Sequence, residues 1–182
     1  MNNPASGYEC QERKSYNGLE FFFISKGERD VIKAVEFSFV QKLDGRDIYN
    51  LGFGDYDLES DTVTDSVYTN NGDAYKVFNT VLNCIPIFFE SYKSAMLMVQ
   101  GSDGGADFIE QCRLVCVKRC GSRCKNYNRR ISVYQGYVNK NFELLSTDYQ
   151  FFGGFRTGKQ ATMEPYVPFR KYDVVLLLSK KA

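Results

Sequence analysis

The chain has 182 residues, of which 43% are hydrophobic and 25% charged, and its formal net charge is +1. This composition excludes disordered and fibrous proteins, and the length predicts a single domain over residues 1–182. The chain contains no histidine, no Walker A motif and no GxGxxG motif, which excludes Ser-His-Asp and Cys-His catalysis, imidazole metal sites and the common phosphate loops.

Residues 1–18 are predicted to form an irregular N-terminal segment. The longest apolar runs, IPIFF and VVLLL, are far shorter than the ~20 residues that a membrane-spanning helix requires. Cys10 and Cys84 stand alone, while the other four cysteines crowd into one segment. This pattern is typical of reduced thiols or metal ligands rather than of a disulfide framework. We therefore expect a cytoplasmic protein without a membrane segment.

Three strands are predicted early in the chain, at residues 19–25, 31–40 and 48–54. These runs are rich in β-branched and aromatic residues, and the turn sequences KGERD and KLDGRD separate them, which indicates an antiparallel meander. Residues 54–65 are predicted to form a polar hairpin or loop. Residues 66–70 are predicted as a short fourth strand.

The polar stretch after residue 54 carries alternating acidic residues. They suggest a calcium loop, with Asp55, Asp57, Glu59 and Asp61 as ligands. An EF-hand loop would need glycine at its sixth position and glutamate at its twelfth, where this chain has Ser60 and Ser66. A solvated hairpin is therefore the better interpretation of this stretch.

The first helix is predicted to begin after Asp73, which is a good N-cap residue. Apolar residues then recur at helical spacing, at Val77, Phe78, Val81, Leu82 and Ile85. Pro86 predicts a kink or an early end near Ile85, because proline lacks the N–H that a helix needs. Residues 94–100 follow as a buried strand.

A second helix is predicted over residues 129–148. Its apolar face is expected to carry Val133, Tyr137, Val138 and Leu144 or Leu145. Short strands at YQFFGG, YVPF and DVVLLLS are expected to complete the sheet. The element order β-β-β-(β)-α-β-α-β-β predicts an α+β fold, in which a mostly antiparallel sheet that starts as a meander carries two main helices on one face.

The segment CRLVCVKRCGSRC has a cysteine at every fourth position, at Cys112, Cys116, Cys120 and Cys124. On one continuous helix the outer two would lie ~18 Å apart, whereas zinc needs every sulfur at about 2.3 Å. A zinc site therefore requires a break, which Gly121 and Ser122 offer. Three interpretations stay open: a zinc site, packed or free thiols, and a disulfide or redox pair.

The same segment is strongly basic. Seven positive residues and no acidic one lie between residues 113 and 130, namely Arg113, Lys118, Arg119, Arg123, Lys125, Arg129 and Arg130. Since the whole chain is only +1, the remainder carries a net charge of −6. With Tyr127 and Tyr134 nearby, the segment is suited to a nucleic-acid backbone. It is equally suited to an acidic protein partner or a second copy. The third interpretation is a solvated insertion that binds neither.

A geometric argument predicts an anion-binding or partner-binding site. A helix of about 18 residues is ~27 Å long, and strand 94–100 returns ~23 Å antiparallel to it. The residue after that strand is therefore expected beside the start of the first helix, where the second helix also begins. Helix N-termini and guanidinium groups favour phosphate and carboxylate, although capping and turn formation alone would explain the same residues. The predicted site comprises Asn70, Asn71, Asp73, Ser102, Arg129, Arg130 and Tyr134.

Five stretches carry a resemblance: YNLGFGDYD, TNNGD, VQGS, RRISVYQGYVNKNFELLSTDYQFFG and EPYVPFRKYDVVLLLSKK. Together they resemble a small uncharacterised bacterial family, from about residue 19 to the end of the chain. The resemblance implies a single α+β domain with no established activity. In that family an arginine and the second helix follow the GS after the central strand within a few residues, so residues 103–128 resemble a Cys/Arg-rich insertion. The resemblance also associates the chain with accessory loci of the toxin–antitoxin or defence kind.

The leading functional hypothesis is a non-enzymatic binding module. It engages a protein partner or nucleic acid through the basic cysteine segment and the sheet end at Asn71, Ser102 and Arg130. The alternative is an enzyme for a phosphate-containing substrate such as RNA. There Arg130 and Lys125 would stabilise developing charge, and Asp73 or Tyr134 would transfer a proton. Zinc is the one cofactor that the residues suggest, and the oligomeric state stays open.

Overall fold

The computed structural model describes residues 6–64, 71–116, 118, 120, 122–157 and 160–181. Across these ranges it shows nine strands and three helices, with antiparallel pairing, which confirms the predicted α+β class. The chain divides into two compact units, Met1–Ala95 and Met96–Ala182. The single domain predicted for residues 1–182 stays a prediction. No helix within the described ranges is long and apolar enough to cross a membrane.

The first unit is built on an antiparallel meander, as the sequence predicts. Its strands are β1 (Gln11–Ser15), β2 (Gly18–Ser25), β3 (Val31–Leu43), β4 (Arg46–Asp57) and β5 (Thr62–Thr64). Each strand pairs with the next one along the chain. Because Asp57 pairs with Thr62, the polar stretch after residue 54 is a hairpin. The strand predicted at residues 66–70 lies outside the described residues.

The irregular structure predicted for residues 1–18 is wrong at residues 11–15, which form strand β1. Its sequence, QERKS, is polar and almost entirely exposed, so hydrophobic alternation cannot reveal it. β2 follows directly, starting at Gly18. A Cβ atom at Gly18 would lie 1.8 Å from the carbonyl oxygen of Phe37, so only glycine allows β2 to begin this close to β3.

Helix α1 (Ala74–Ser91) begins directly after Asp73, as predicted. The early end predicted near Ile85 is wrong, because the helix continues through Pro86 and ends at Ser91. A proline inside a helix removes one hydrogen bond and costs about 3 kcal/mol. Phe88, which follows it, is completely buried. Burial of the turn after the proline thus offsets the cost of carrying it.

The second unit is an antiparallel sheet with β9 at its centre. Its elements are β6 (Met96–Gln100), α2 (Ala106–Val115), α3 (Arg129–Asp148), β7 (Tyr149–Thr157), β8 (Gln160–Pro165) and β9 (Val174–Ser179). β9 pairs with β6 on one side and β7 on the other, and β8 pairs with β7. The strands predicted at residues 94–100, YQFFGG and DVVLLLS are confirmed. α2 is a third helix that the predicted order lacks.

The strand predicted at YVPF, residues 166–169, is wrong. Strand β8 ends directly before Tyr166, and Pro168 and Phe169 lie in a turn. Pro168 cannot donate a hydrogen bond to a neighbouring strand. Phe169 has a positive φ of 68°, which lies outside the strand region. Two backbone constraints therefore override the β-propensity of the aromatic residues.

Helix α3 has the predicted bounds and part of the predicted inner face. Tyr137, Val138 and Leu145 are half-buried, but Val133 is 54% exposed. The fully buried side chains of this helix are Ile131 and Gln135. The Gln135 side chain donates a hydrogen bond to the carbonyl of Tyr172. A buried polar residue of this kind counts as solvent-facing in any hydrophobicity pattern, which shifts the predicted face around the helix.

Candidate functional site

The cysteines of the segment converge in the second unit, and together they are termed the cysteine cluster: Cys112, Cys116, Cys120 and Cys124. α2 carries Cys112 and ends at Val115, so that Cys116 is its C-cap with extended backbone angles. The chain then brings the sulfur of Cys120 to 3.5 Å from that of Cys116. The Cys112 thiol interacts with those of Cys116 and Cys124. The helical stretch therefore ends at Val115, before the break predicted at Gly121 and Ser122. Gly121 itself lies outside the described residues.

Hydrogen-bond donors surround the sulfurs of the cysteine cluster. The Asn126 side-chain amide donates to the sulfur of Cys112 at 3.3 Å. The backbone N–H of Lys125 donates to the sulfur of Cys120 at 3.2 Å. The Lys118 ammonium donates to Asn126 Oδ1 at 2.7 Å, which orients that amide toward the sulfurs. Donors of this kind stabilise a charged thiolate more than a neutral thiol.

The thiols of the cysteine cluster differ in acidity. The backbone N–H of Lys118 lowers the pKa of Cys116, and the backbone N–H of Asn126 lowers the pKa of Cys124. At Cys112 the Asn126 amide lowers the pKa, but burial and the neighbouring thiols raise it overall. Cys116 and Cys124 therefore ionise more readily than an ordinary cysteine.

The interpretations proposed for the segment cysteines remain predictions. All six cysteines of the chain are free thiols. Within the described ranges, no group of three or more His, Cys, Asp and Glu side chains could hold a metal ion as it stands. The observed cluster is thus a set of pairwise sulfur contacts with amide donors around it.

The basic segment, residues 113–130, presents most of its charge to solvent. Its exposed cations are Arg113, Lys118, Arg123, Lys125 and Arg129, while Arg119 lies outside the described residues. Tyr127 is 40% exposed and stands between Lys125 and Arg129 in the chain. The described part of the segment therefore offers cations and an aromatic ring together.

Asp103 contacts the start of α3 from the loop after β6, and the sequence analysis does not identify it. Its Oδ2 atom accepts the backbone N–H of Arg130 at 2.9 Å, and its carbonyl accepts that of Asn128 at 3.0 Å. Asn128 is the N-cap but makes no side-chain cap, so the carboxylate of Asp103 supplies one from a distant loop. Asp103 is only 5% exposed. The signal in the sequence was a lone acidic residue in the loop GSDGG.

The predicted anion site is partly assembled in the second unit. The Arg130 guanidinium donates to the hydroxyl of Ser102. Arg129 is exposed at the first position of α3, and Tyr134 is half-buried on its second turn. The Asp103 carboxylate already provides negative charge at the positive end of this helix. The anion site expected at the start of α3 stays a prediction.

The remaining predicted anion-site residues belong to the first unit. The Asn71 amide donates to the Ser25 hydroxyl at 3.0 Å. One Asp73 oxygen accepts hydrogen bonds from the hydroxyls of Tyr8 and Ser25, both at 2.7 Å, and its side chain does not cap α1. Asn70 lies outside the described residues. Asn71 and Asp73 thus link the N-terminal segment, the end of β2 and the start of α1.

Replacing Asp73 with Asn is expected to destabilise the protein by about 1–2 kcal/mol near neutral pH, because two hydroxyl groups donate to its carboxylate. Burial raises the pKa of Asp73, but the Ser25 and Tyr8 hydroxyls together lower it further. The unfolded value is about 3.9, so the stabilisation is fully present above that pH and is lost as the pH falls through the lower folded pKa. Urea unfolding of both proteins at several pH values measures this difference.

The matched control for this prediction is Asp44→Asn, which removes one carboxylate from the exposed turn between β3 and β4. It corrects for the general effect of losing one negative charge. If the cost of Asp73→Asn stayed constant down to the lowest pH at which the protein folds, the assignment of the two hydroxyl contacts would be wrong.

The acidic residues of the β4–β5 hairpin do not converge on a common point. Asp57 accepts the backbone N–H of Glu59 at 3.0 Å and the hydroxyl of Ser60 at 2.9 Å. Asp61 lies 3.4 Å from the Arg13 guanidinium. Asp57 thus stabilises the hairpin turn and Asp61 contacts β1, which agrees with the interpretation as a solvated hairpin.

A family model described as a family of unknown function, DUF6934, matches residues 5–105. The comparisons with curated proteins and with solved structures find no match. The matched range ends directly before α2, so the cysteine cluster and the basic segment lie beyond it, as do the resembling stretches after residue 129. Because the match spans more than half of the chain, the protein belongs to the DUF6934 family, whose function is unknown.

Proposed function

We propose that this protein is a bacterial, cytoplasmic, non-enzymatic module that binds nucleic acid through the basic segment. The supporting observation is the set of five exposed cations in the described part of that segment, with no acidic residue among them. Lysine and arginine side chains in such an arrangement neutralise phosphate groups and release condensed counterions. This release is the main source of sequence-independent affinity for nucleic acid.

The segregation of charge supports a local binding surface rather than a general attraction. The basic segment carries +7 and the rest of the chain −6. At physiological ionic strength, charges act over a distance of about 8 Å. A polyanion that contacts the segment therefore experiences its cations more strongly than the nearly neutral total.

Tyr127 favours single-stranded nucleic acid. Its ring is 40% exposed and has exposed cations two positions before and after it, at Lys125 and Arg129. An aromatic ring among cations can stack on any unpaired base while the cations hold the backbone. Stacking of this kind is sequence-tolerant, so a general affinity for single strands is expected.

The contacts of the candidate catalytic residues favour binding over catalysis. Asp73, the proposed proton acceptor, holds two hydroxyl groups in place, and its pKa is lowered by them despite burial. A general base works best with a pKa near the operating pH, so a lowered value makes this carboxylate a weak base. The Arg130 guanidinium is engaged by Ser102. Both side chains thus have structural contacts that explain their positions.

The salt dependence of binding tests this proposal. Fluorescence anisotropy with a labelled, mixed-sequence single-stranded RNA should show that the logarithm of affinity falls with the logarithm of salt concentration. For five phosphate contacts the slope is about −3.5, which corresponds to roughly 10²-fold weaker binding when salt rises from about 50 to about 200 mM. A flat response would rule out the phosphate contacts. Equal affinity for polyglutamate of matched charge would point to an acidic protein partner and overturn the assignment to nucleic acid.

A further inference from the structure

We propose that the cysteine cluster binds one zinc ion through its four sulfur atoms. This site goes beyond the proposed binding function and does not depend on what the basic segment contacts. It would give the segment a fixed centre, because the four ligands are spread evenly from α2 to the turn before α3. The argument rests on sulfur geometry, donor groups, ligand chemistry and charge.

The separation of one sulfur pair suits two ligands of the same ion and is too long for a disulfide. The sulfurs of Cys116 and Cys120 lie 3.5 Å apart, whereas a disulfide bond is about 2.05 Å long. Two thiolates on one tetrahedral zinc, each at about 2.3 Å, are separated by about 3.8 Å. The thiol of Cys112 also interacts with those of Cys116 and Cys124. The contacts therefore join all four sulfurs into one connected group.

The groups around the sulfurs are donors, which is what a charged thiolate site requires. Asn126 donates to the sulfur of Cys112 and reaches that of Cys116 at 3.9 Å. The backbone N–H of Lys125 donates to the sulfur of Cys120. Such hydrogen bonds orient metal ligands and tune their charge. The Lys118 ammonium in turn holds the Asn126 amide from behind.

The residue composition selects the metal and the ligand set. The chain has no histidine, and residues 111–142 contain no Asp or Glu. The cysteines are therefore the only strong metal ligands that this stretch supplies. An all-thiolate tetrahedral set suits zinc and is poor for magnesium or calcium, which take oxygen ligands.

The cations of the basic segment fit the charge of such a site. Four thiolates on one Zn²⁺ carry a net charge of −2, and the residues between the cysteines are Arg and Lys rather than acids. Lys118, Arg123 and Lys125 are exposed and lie next to the cluster cysteines in the chain or two positions from them. The alternation of cysteines and cations is thus explained by one structure.

Zinc binding would also close the cluster. As the described side chains stand, no group of three or more could hold a metal ion, so the sulfurs must approach one another by small shifts. Metal sites of this kind commonly form together with their ion, because ligand convergence is part of the binding reaction. The segment between Cys116 and Cys124 has no regular helix or strand in its described part, and such backbone can make these shifts.

Native mass spectrometry of the full chain tests the proposal. The protein should be purified under reducing conditions with an affinity tag that contains no histidine, because the chain itself has none. We expect the mass of one bound zinc ion per chain, lost on treatment with a strong chelator and on denaturation. Cobalt substitution should produce the absorption bands of tetrahedral thiolate coordination.

The Cys120→Ser variant should lose the bound zinc, while Cys10→Ser, which removes a cysteine of similar exposure far from the cluster in sequence, should keep it. Circular dichroism of both variants establishes that they are folded. Three results would overturn the proposal: no zinc after reconstitution of the reduced protein, zinc retained by Cys120→Ser, or a disulfide between Cys116 and Cys120 in the fresh protein. None of these results bears on RNA binding, so the two proposals can fail separately.

Discussion

The Phe88→Ala variant is expected to lose about 3–5 kcal/mol of unfolding free energy. The Phe88 side chain is fully buried. Its ring centroid lies near those of four other aromatic residues: Phe37 at 4.6 Å, Tyr92 at 5.0 Å, Phe89 at 5.1 Å and Tyr49 at 5.3 Å. Removing the ring breaks all four contacts and leaves a cavity between α1 and the meander. In a chain of this size the melting temperature should fall by about 10 °C.

The neighbouring Ile87 provides a matched control for this measurement. It lies on the same turn of α1 but is 37% exposed, so Ile87→Ala should cost less than about 1 kcal/mol. Urea unfolding followed by circular dichroism measures both variants. Equal costs for the two substitutions would show that the turn after Pro86 does not pack in the core.

Neutralising the basic segment is expected to weaken binding to single-stranded RNA by about 10²–10³-fold at low salt, because each lost phosphate contact also removes counterion release. The variant replaces four exposed cations with glutamine: Arg113, Arg123, Lys125 and Arg129. Lys118 is retained, because it orients Asn126 beside the cysteine cluster. The plot of log affinity against log salt concentration should become shallower, with a slope of about −0.7, the value for one remaining contact.

A second variant with the same change in net charge distinguishes the segment from the overall charge. It replaces four exposed cations elsewhere in the chain: Lys14, Arg29, Lys93 and Lys171. We expect this control to bind RNA within a few-fold of the parent at the same salt concentration, and to unfold at the same temperature as the segment variant. Equal weakening by both sets would remove the basic segment as the contact surface.

Local sequence patterns were sufficient for the elements whose side chains alternate or recur regularly. β2, β3 and β4 combine aromatic and β-branched residues with turn sequences between them, and α1 begins after its predicted cap residue. Tertiary packing decided the elements that were missed. The burial of Phe88 extends α1 past Pro86, and the hydrogen bond that Gln135 donates to the Tyr172 carbonyl places a polar side chain inside. Neither effect has a local signature.

The candidate site was only partly visible in the sequence for the same reason. Regular spacing identified the cysteines and the cations, but the meeting of the sulfurs depends on where α2 ends. Asn126 lies among four basic residues, and no sequence pattern indicates that its amide contacts the sulfur of Cys112. Asp103 caps a helix that begins 26 positions later. Contacts of that range cannot be read from periodicity, which compares neighbours within a few turns.

Strand β1 affects how readily the molecules associate at high protein concentration. Within the described ranges it pairs with β2 alone, so its other side is an edge to which no other described strand pairs. It is only five residues long and carries Glu12, Arg13 and Lys14 in succession. A strand from another molecule that added to this margin would have to strip water from three charged side chains, and short charged strands resist such pairing. The strand that is hardest to recognise in the sequence therefore disfavours edge-to-edge association at this margin of the meander.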